Sequence, residues 1–291
     1  MFVSTKRKVI IYVTCVLLFY PGAFTHAFEQ DNKQLKIHFI NVGQGDSILI
    51  ETPNKKHILI DGGPPKAGKL VVSYLEKRNI QSIDLMIATH PDYDHIGGLP
   101  DVMNNFTVDH IIETGKFHLT KAYAAYAATV FAKQIPFTVA KKGDMIDIDA
   151  LLHMEVLNSS SDNKDNNPSS LALKLTYDEI DVLFLADVEK TQEKNMMKQT
   201  DVSAQIIKVA HHGSNTSSSA LFLEEVQPEI AILTYSKNNE FGHPAPRVVS
   251  QLQSLTSLIY STAVFGNIVI ESDGKDYIVF PEKSPFDALV E

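Results

Sequence analysis

The chain has 291 residues, of which 44% are hydrophobic and 21% charged, and its formal net charge is −9. This length and composition are typical of a globular protein with a full hydrophobic core, in one large domain or two modest ones. An acidic chain does not attract nucleic acid or anionic lipid through its overall field, which argues against a protein that coats DNA. A phosphate substrate would have to be held locally by metal ions.

The N-terminus has the pattern of a secretory signal peptide. Three basic residues at positions 6–8 precede an apolar run over residues 9–20, and Thr-His-Ala at 25–27 offers a cleavage site. A retained membrane anchor is the alternative, but the run is shorter than the roughly 20 residues that a spanning helix needs. We therefore expect cleavage after Ala27, export to a periplasm or out of the cell, no stable membrane span after cleavage, and a single domain over residues 28–291.

Cleavage would also remove Cys15, the one cysteine of the chain. A disulfide framework and a thiolate metal site are then excluded, which leaves metal binding to His, Asp, Glu and Asn. The net charge would change from −9 to about −12, because three basic and no acidic residues are lost.

Two strands early in the chain end in glycine-rich turns that carry aspartates. The first turn is Gly-Gln-Gly-Asp-Ser at residues 43–47, and the second is Asp-Gly-Gly at 61–63. Glycine at such ends indicates backbone packed close to a site, although turn capping alone would explain Asp46 or Asp61. A helix is predicted over residues 67–78.

The stretch DLMIATHPDYDHIGG at residues 84–98 is the strongest chemical signal. An apolar strand at 84–89 is predicted to deliver His90, Asp92, Asp94 and His95 into the following turn. Imidazole and carboxylate groups together suit a divalent cation such as zinc or manganese. The alternative, a solvated polar loop, explains poorly why so few other residues interrupt these four.

Further candidates follow later strands. Residues 159–170 form a polar run that is typical of a surface loop, and Lys121–Lys133 is predicted to be a helix that packs on the core. The strand at 182–185 ends in Ala186-Asp187, and the strand at 206–210 delivers His211-His212. Adjacent histidines point in different directions, so we expect one to bind metal and the other to contact substrate or a metal ligand.

The order of elements predicts the fold class. No repeat of fixed period is present, yet both halves alternate β hairpins with helices. This favours an α+β fold in which two sheets pack face to face with helices outside, a four-layer αββα sandwich. Because candidate site residues follow strands throughout the chain, we expect one domain.

The motifs resemble those of a known family. His90-x-Asp92-x-Asp94-His95 is similar to the H-x-H-x-D-H signature of the metallo-β-lactamase superfamily, with Asp92 in place of the second histidine. Six motifs resemble, in order and spacing, the metallo-β-lactamase domain of ComEC-type competence proteins: HFINVGQGDSILIE, ILIDGG, DLMIATHPDYDHIGGL, LFLADVE, IIKVAHHGSNTS and FGHPAPRVV. The resemblance covers residues 35–280. The membrane channel of that family is missing from this sequence, so DNA translocation is not carried over.

The resemblance implies a ligand set for one or two ions. A complete second metal site would consist of Asp94, His95, Asp187 and His211, and Asp187 would bridge the two ions. The first site would include His90 and Asp92, with Asn166 or Asn167 where the superfamily usually has a histidine. Since this first site is rich in oxygen ligands, manganese is a candidate beside zinc.

These ligands imply chemistry based on activated water. Metal ions can lower the pKa of a bound water and stabilise charge on a leaving oxygen. Asp187 is expected to orient the attacking water, while His212 and His243 hold or protonate a phosphate or carbonyl oxygen. Ser214 and Asn167 are expected to contact substrate.

Three functions remain open at this point. The first is a metal-dependent phosphodiesterase or nuclease that acts on DNA outside the cytoplasm, where the nuclease part comes from the resemblance. The second is an ester, lactone or amide hydrolase with the same metals, although the altered ligand set disfavours β-lactams. The third is a non-catalytic metal-binding or interaction protein. The sequence leaves the oligomeric state open.

Overall fold

The structure is a computed structural model that describes residues 33–255 and 258–284. The predicted signal peptide over residues 1–27 lies outside these ranges. Within them, no helix has both the length and the apolar character needed to cross a membrane.

Sixteen strands make up the sheets of the described residues. They are β1 (Leu35–Phe39), β2 (Ile48–Glu51), β3 (His57–Ile60), β4 (Ser82–Ile83), β5 (Leu85–Ala88), β6 (Thr107–Val108), β7 (Ile111–Glu113), β8 (Phe137–Val139), β9 (His153–Asn158), β10 (Ala172–Tyr177), β11 (Ile180–Phe184), β12 (Ile206–Lys208), β13 (Ile230–Leu233), β14 (Leu258–Ser261), β15 (Ile268–Ser272) and β16 (Tyr277–Pro281).

Eight α-helices and three short 3₁₀ turns accompany them. The helices are α1 (Gly68–Lys77), α2 (Tyr93–Ile96), α3 (Leu99–Asn105), α4 (Lys121–Lys133), α5 (Lys190–Met197), α6 (Ala220–Val226), α7 (Pro246–Ser254) and α8 (Thr262–Phe265). The 3₁₀ turns are Pro65–Ala67, Asn167–Ser169 and Ala210–Gly213.

Two large sheets are formed. The first has the strand order β16-β15-β1-β2-β3-β5-β7-β8, and the second has the order β14-β13-β12-β11-β10-β9. In the first sheet β5 lies between its parallel neighbours β3 and β7, and in the second β11 to β14 run parallel. Parallel neighbours end at the same edge of a sheet, so the turns that follow β3 and β5 lie together, as do those after β11, β12 and β13.

Alternating side chains divide the core into three layers. In β2, Ile48 and Ile50 face the core between the two sheets, whereas Leu49 faces the core beneath α1, α3 and α4. In β12, Ile206 enters the same central core and Ile207 packs toward α5, α6 and α7. This period of two buries both faces of each sheet. The predicted α+β, αββα architecture is confirmed.

The polar run at residues 159–170 is a loop whose conformation is held by several hydrogen bonds. Asn158 Nδ2 donates to Ser170 O (2.8 Å), Asn163 Nδ2 donates to Pro168 O (3.2 Å), and Lys116 Nζ donates to the Asn163 carbonyl. These bonds fix the turn that contains Asn167, and they thereby hold two asparagines against the other candidate residues.

Candidate metal centre

The predicted ligands converge where strands end. His90 follows β5, and Asp94 and His95 lie on α2, which begins three residues later. Asp187 follows β11, and the turn after β12 carries His211 and His212. The strand ends of both sheets thus supply one cluster.

Asp187 lies at the centre of this cluster. Its Oδ1 is 3.3 Å from His95 Nε2, and its Oδ2 is 3.9 Å from His90 Nε2. The side chain is 5% exposed, while those of His90 and His95 are 0% exposed. Three potential ligand residues therefore face one another in a space from which water is largely excluded.

The two adjacent histidines both face this space. His212 Nε2 lies 3.4 Å from Asp94 Oδ2 and 3.7 Å from Asp187 Oδ2. His211 Nε2 lies 3.6 Å from Asp187 Oδ2 and, at 3.4 Å, beside Asn167 Nδ2. The structure therefore brings His212, rather than His211, next to Asp94, and places His211 nearer to the opening.

Four residues at the cluster have a left-handed backbone conformation. His211 and His212 both have left-handed φ angles, +50° and +54°, and so do Ala186 (+44°) and Asp61 (+57°). Left-handed conformations cost a non-glycine residue about 1–3 kcal/mol and cluster at functional sites. The hydrogen bond from His211 N–H to the Ala186 carbonyl (2.8 Å) joins two of these residues.

In each of the four imidazoles, Nδ1 has a hydrogen-bond partner. His90 Nδ1 contacts Thr89 Oγ1 (3.1 Å), and His95 Nδ1 contacts Asp61 Oδ2 (2.7 Å). His211 Nδ1 contacts Thr216 Oγ1 (3.2 Å), and His212 Nδ1 contacts the Thr234 carbonyl (2.8 Å). A carboxylate or carbonyl oxygen can only accept, so Nδ1 carries the proton in His95 and His212. In the neutral form of both rings, the Nε2 lone pair then faces the cluster, and this is the tautomer that binds metal.

Several inward atoms have no partner. Among the described residues, the buried atoms without a hydrogen bond include His90 Nε2, His95 Nε2, His212 Nε2 and Asp187 Oδ1. Buried polar atoms are nearly always paired, so four unpaired ligand atoms in one place need an explanation. Imidazole nitrogens and carboxylate oxygens at these separations fit a divalent metal ion.

Charge in the cluster supports the same conclusion. Burial by itself would raise the pKa of Asp187, but the charges of His95, His212 and His211 hold that pKa well below its ordinary value. Burial would likewise raise the pKa of Asp92, yet His90 and Asn166 lower it to about 2. Both side chains are therefore anionic at neutral pH and can bind a cation.

The two asparagines have different positions. Asn166 Nδ2 donates to Asp92 Oδ1 and lies 3.2 Å from His118 Nε2, whereas Asn167 contacts His211. Asn166 thus orients the carboxylate that replaces a histidine of the family signature. His118 could not be identified from the sequence, because a single histidine on a loop carries no pattern.

His243 and Ser214 differ in how they relate to the centre. The His243 ring lies 5.3 Å from the His211 ring, and its Nδ1 is buried without a partner in the described chain. Burial and the nearby charges of His211 and His212 lower the pKa of His243 to about 4. Ser214 is buried and its Oγ bonds to Thr216 Oγ1 (3.1 Å), so it reaches the site only through the partner of His211.

A buried ion pair lies behind His212, and only its acidic member, Asp46, was a candidate from the sequence. Lys208 Nζ lies 2.7 Å from Asp46 Oδ2, and both side chains are at most 3% exposed. Thr234 Oγ1 donates to the other Asp46 oxygen, and the Thr234 carbonyl accepts from His212. The signal available in the sequence was a lysine inside the apolar strand IIKVA.

Comparisons with known proteins agree with this geometry. The metallo-β-lactamase superfamily matches residues 40–236. ComE operon protein 3 of Bacillus subtilis (strain 168) is 27% identical over 251 residues, which cover 80% of this chain and 32% of the relative. Competence protein ComA of Neisseria gonorrhoeae is 27% identical over 217 residues, which cover 74% and 29% respectively. The chain thus spans about a third of the length of these curated relatives.

A solved structure shows the same fold. Igni18, a metallo hydrolase from the hyperthermophilic archaeon Ignicoccus hospitalis, has a TM-score of 0.54 and 14% identity, with 85% of this chain and 100% of that chain covered. At such identity the likeness concerns the fold alone. The resemblance to competence proteins that the motifs indicated is confirmed by the two relatives. Because the family match covers more than half of its residues, the chain belongs to the metallo-β-lactamase superfamily.

Proposed function

We propose that this protein is a metal-dependent hydrolase that cleaves phosphodiesters, with DNA outside the cytoplasm as the substrate. The observation that carries the hydrolase proposal is the set of buried, unpaired ligand atoms on His90, His95, His212 and Asp187. The choice of DNA is supported by the competence-related relatives. Export is supported only by the predicted signal peptide over residues 1–27.

The ligand assignment follows the distances. We assign Asp94, His95, Asp187 and His212 to one metal position, and His90, Asp92 and Asp187 to the other. The first set has two imidazoles, which suit zinc. In the second, oxygen atoms outnumber nitrogen, which suits manganese as well, so one or two ions of either metal are proposed.

Divalent ions at such a centre supply an acidified water and charge stabilisation for the leaving oxygen. The residues of the chain supply orientation. Asp187 Oδ1 has no donor among the described residues and is placed to orient the attacking water. His211 and His243 lie toward the opening, where their imidazole rings are proposed to hold a phosphate oxygen.

The test combines metal analysis with hydrolysis of bis-p-nitrophenyl phosphate and of linear DNA, with added manganese or zinc. We expect bound metal and metal-dependent cleavage that His95→Ala abolishes. His153→Ala is the matched control, because His153 is an exposed histidine on β9, outside the ligand cluster.

Other outcomes would redirect the assignment. Bound metal without cleavage of either phosphodiester would reject the phosphodiesterase proposal in favour of an ester, lactone or amide hydrolase. Absence of bound metal after growth and assay with both ions would leave the non-catalytic binding protein as the remaining reading.

A further inference from the structure

The loop after β13 presents an apolar ring to solvent next to the metal centre. Phe241 is 61% exposed, and its ring lies over the His243 ring with centroids 5.7 Å apart and an interplanar angle of 26°. We propose that Phe241 is a stacking platform for one unpaired nucleobase of the substrate. This inference rests on the proposed function and deepens it by specifying single-stranded nucleic acid.

A continuous series of rings connects this platform to the candidate ligands. The His243 ring is 5.3 Å from that of His211 and 6.2 Å from that of His212, and the His212 ring is 5.4 Å from that of His95. A base stacked on the outer face of Phe241 would therefore lie at the mouth of the site. Its attached phosphate could reach the centre while the base remains outside.

The loop is built to hold Phe241 in this position. The Asn239 side chain accepts from Phe241 N–H (3.1 Å) and His243 N–H (2.9 Å), and it donates to the carbonyls of His243 (2.6 Å) and Ser236 (2.7 Å). Ser236 N–H in turn lies 3.3 Å from Gln44 Oε1, in the turn that packs against Asp94. A ring fixed in advance loses little conformational freedom on binding, which favours affinity.

A second exposed aromatic ring adjoins the candidate ligands in the sequence. Tyr93, between Asp92 and Asp94 in the chain, is 49% exposed. Exposed aromatic rings thus lie on two elements that carry candidate site residues, α2 and the loop after β13.

The charge of the chain explains why stacking would matter. With a formal net charge of −9, the protein gains little from contacts to phosphates that do not reach the metal centre. Stacking on an aromatic ring does not depend on charge and is available to every base. Paired bases inside a duplex have no free face, so the platform fits single strands and frayed ends.

The absence of tryptophan from the chain provides a direct test. The variant Phe241→Trp introduces a single tryptophan at the platform, and its fluorescence reports stacking. We expect saturable quenching by single-stranded oligothymidylate and little quenching by an oligomer of abasic sites of the same length. The matched control is Phe131→Trp, because Phe131 is 86% exposed on α4 and has no ring contact with the site histidines.

A kinetic measurement accompanies the binding assay. Phe241→Ala should lower kcat/KM for the oligothymidylate roughly ten-fold more than for the abasic oligomer, the size expected for one base–aromatic contact. Phe241→Tyr should restore most of the loss, and Phe131→Ala should change neither substrate.

The outcomes separate this inference from the proposed function. Cleavage of both oligomers, with neither quenching in Phe241→Trp nor a differential loss in Phe241→Ala, would overturn the platform and leave the phosphodiesterase intact. Quenching without any cleavage would keep the platform and reject the phosphodiesterase. Equal quenching in Phe241→Trp and Phe131→Trp would also overturn the inference, because it would show non-specific contact.

Discussion

At the scale of single residues, Asp187 is the group on which the centre depends. Four histidines surround it within 3.9 Å, and its anionic form is favoured in the fold. We expect Asp187→Ala to lose bound metal and to lower hydrolysis by more than the roughly 100-fold typical for loss of an outer partner of a metal ligand. Metal content, kinetics and circular dichroism measure this. A folded variant that retains activity would contradict the hydrolase proposal.

The buried pair of Lys208 and Asp46 predicts a large effect on stability. Lys208→Met would leave the Asp46 charge buried without its partner, so we expect the free energy of unfolding to fall by about 3–5 kcal/mol. Adding Asp46→Asn should recover part of the loss, because the unpaired charge is then removed. Denaturant unfolding measures both variants.

An exposed ion pair of the same length is the control for that experiment. Lys56 Nζ also lies 2.7 Å from a carboxylate, Asp84 Oδ1, but its side chain is 49% exposed. Lys56→Met should therefore cost less than about 1 kcal/mol. Equal losses in Lys208→Met and Lys56→Met would show that burial of the first pair has no energetic role.

At the residue level, the sequence allowed a prediction where the signal is local. His90, Asp92, Asp94 and His95 were identifiable because they lie within one turn after an apolar strand. The positions of the His211 and His212 rings could not be identified from the sequence. They depend on two left-handed backbone conformations that no residue type there requires. Their roles as ligands stay predictions until metal is measured.

At the scale of elements, one glycine turn aligns the α2 ligands. Gly45 has a φ of +126°, and a Cβ on it would lie 2.1 Å from the Asp94 carbonyl oxygen. Gly43 also has a positive φ, +79°, but a Cβ there would meet nothing within 4 Å. We expect Gly43→Ala to cost only the conformational strain of about 1 kcal/mol, and Gly45→Ala to cost more and to weaken metal binding.

Thermal unfolding and metal titration measure the two glycine variants. If Gly45→Ala binds metal as tightly as Gly43→Ala, the packing of this turn against Asp94 does not control the site.

The cap of α6 predicts a dependence of stability on pH. Glu193 is fully buried and accepts from the N–H groups of Ser218 and Ser219, yet burial raises its pKa above the ordinary value. The folded state then holds a proton that the unfolded state has released, so the free energy of unfolding falls as pH rises from the ordinary pKa to the raised one.

Glu193→Gln removes this dependence. Relative to the native chain, the free energy of unfolding of the variant should therefore increase as pH rises from about 4.5 toward neutral pH. Urea unfolding across that interval measures the difference, with Glu224→Gln on the exposed face of α6 as control. A difference that is constant with pH would contradict the linkage.

Helices and strands were predictable to different degrees. The helix over Lys121–Lys133 has the predicted bounds, because Thr120 caps its start and the alanines favour helix throughout. The polar run at 159–170 carries no hydrophobic pattern, so the sequence predicted only a loop. Its place beside Asp92 and His211 arises from tertiary hydrogen bonds.

At the scale of the whole molecule, metal binding should stabilise the fold, since the ligand atoms come together only in the native state. At a metal concentration 100 times Kd, we expect about 2.7 kcal/mol of added stability. Thermal unfolding with chelator, zinc or manganese measures this, and Asp187→Ala should show no such shift. An unchanged melting temperature of the native chain with either ion would contradict a metal centre at this place.

The layered architecture was predictable because hydrophobic periodicity records which faces are buried. Alternation in β1 and continuous apolar runs in β5 and β13 indicated two covered sheets. The strand order was not predictable from the same pattern, since it depends on which distant segments pair. The family resemblance supplied that information indirectly.

The supply of ligands from both sheets has a consequence for the lifetime of the native state. His95 follows β5 of the first sheet, while Asp187 and His212 follow β11 and β12 of the second. An ion held among them would act as a cross-link between the sheets, and neither sheet could open before the ion is released. Release would then limit the rate of unfolding, so the protein would gain resistance to proteases as well as equilibrium stability.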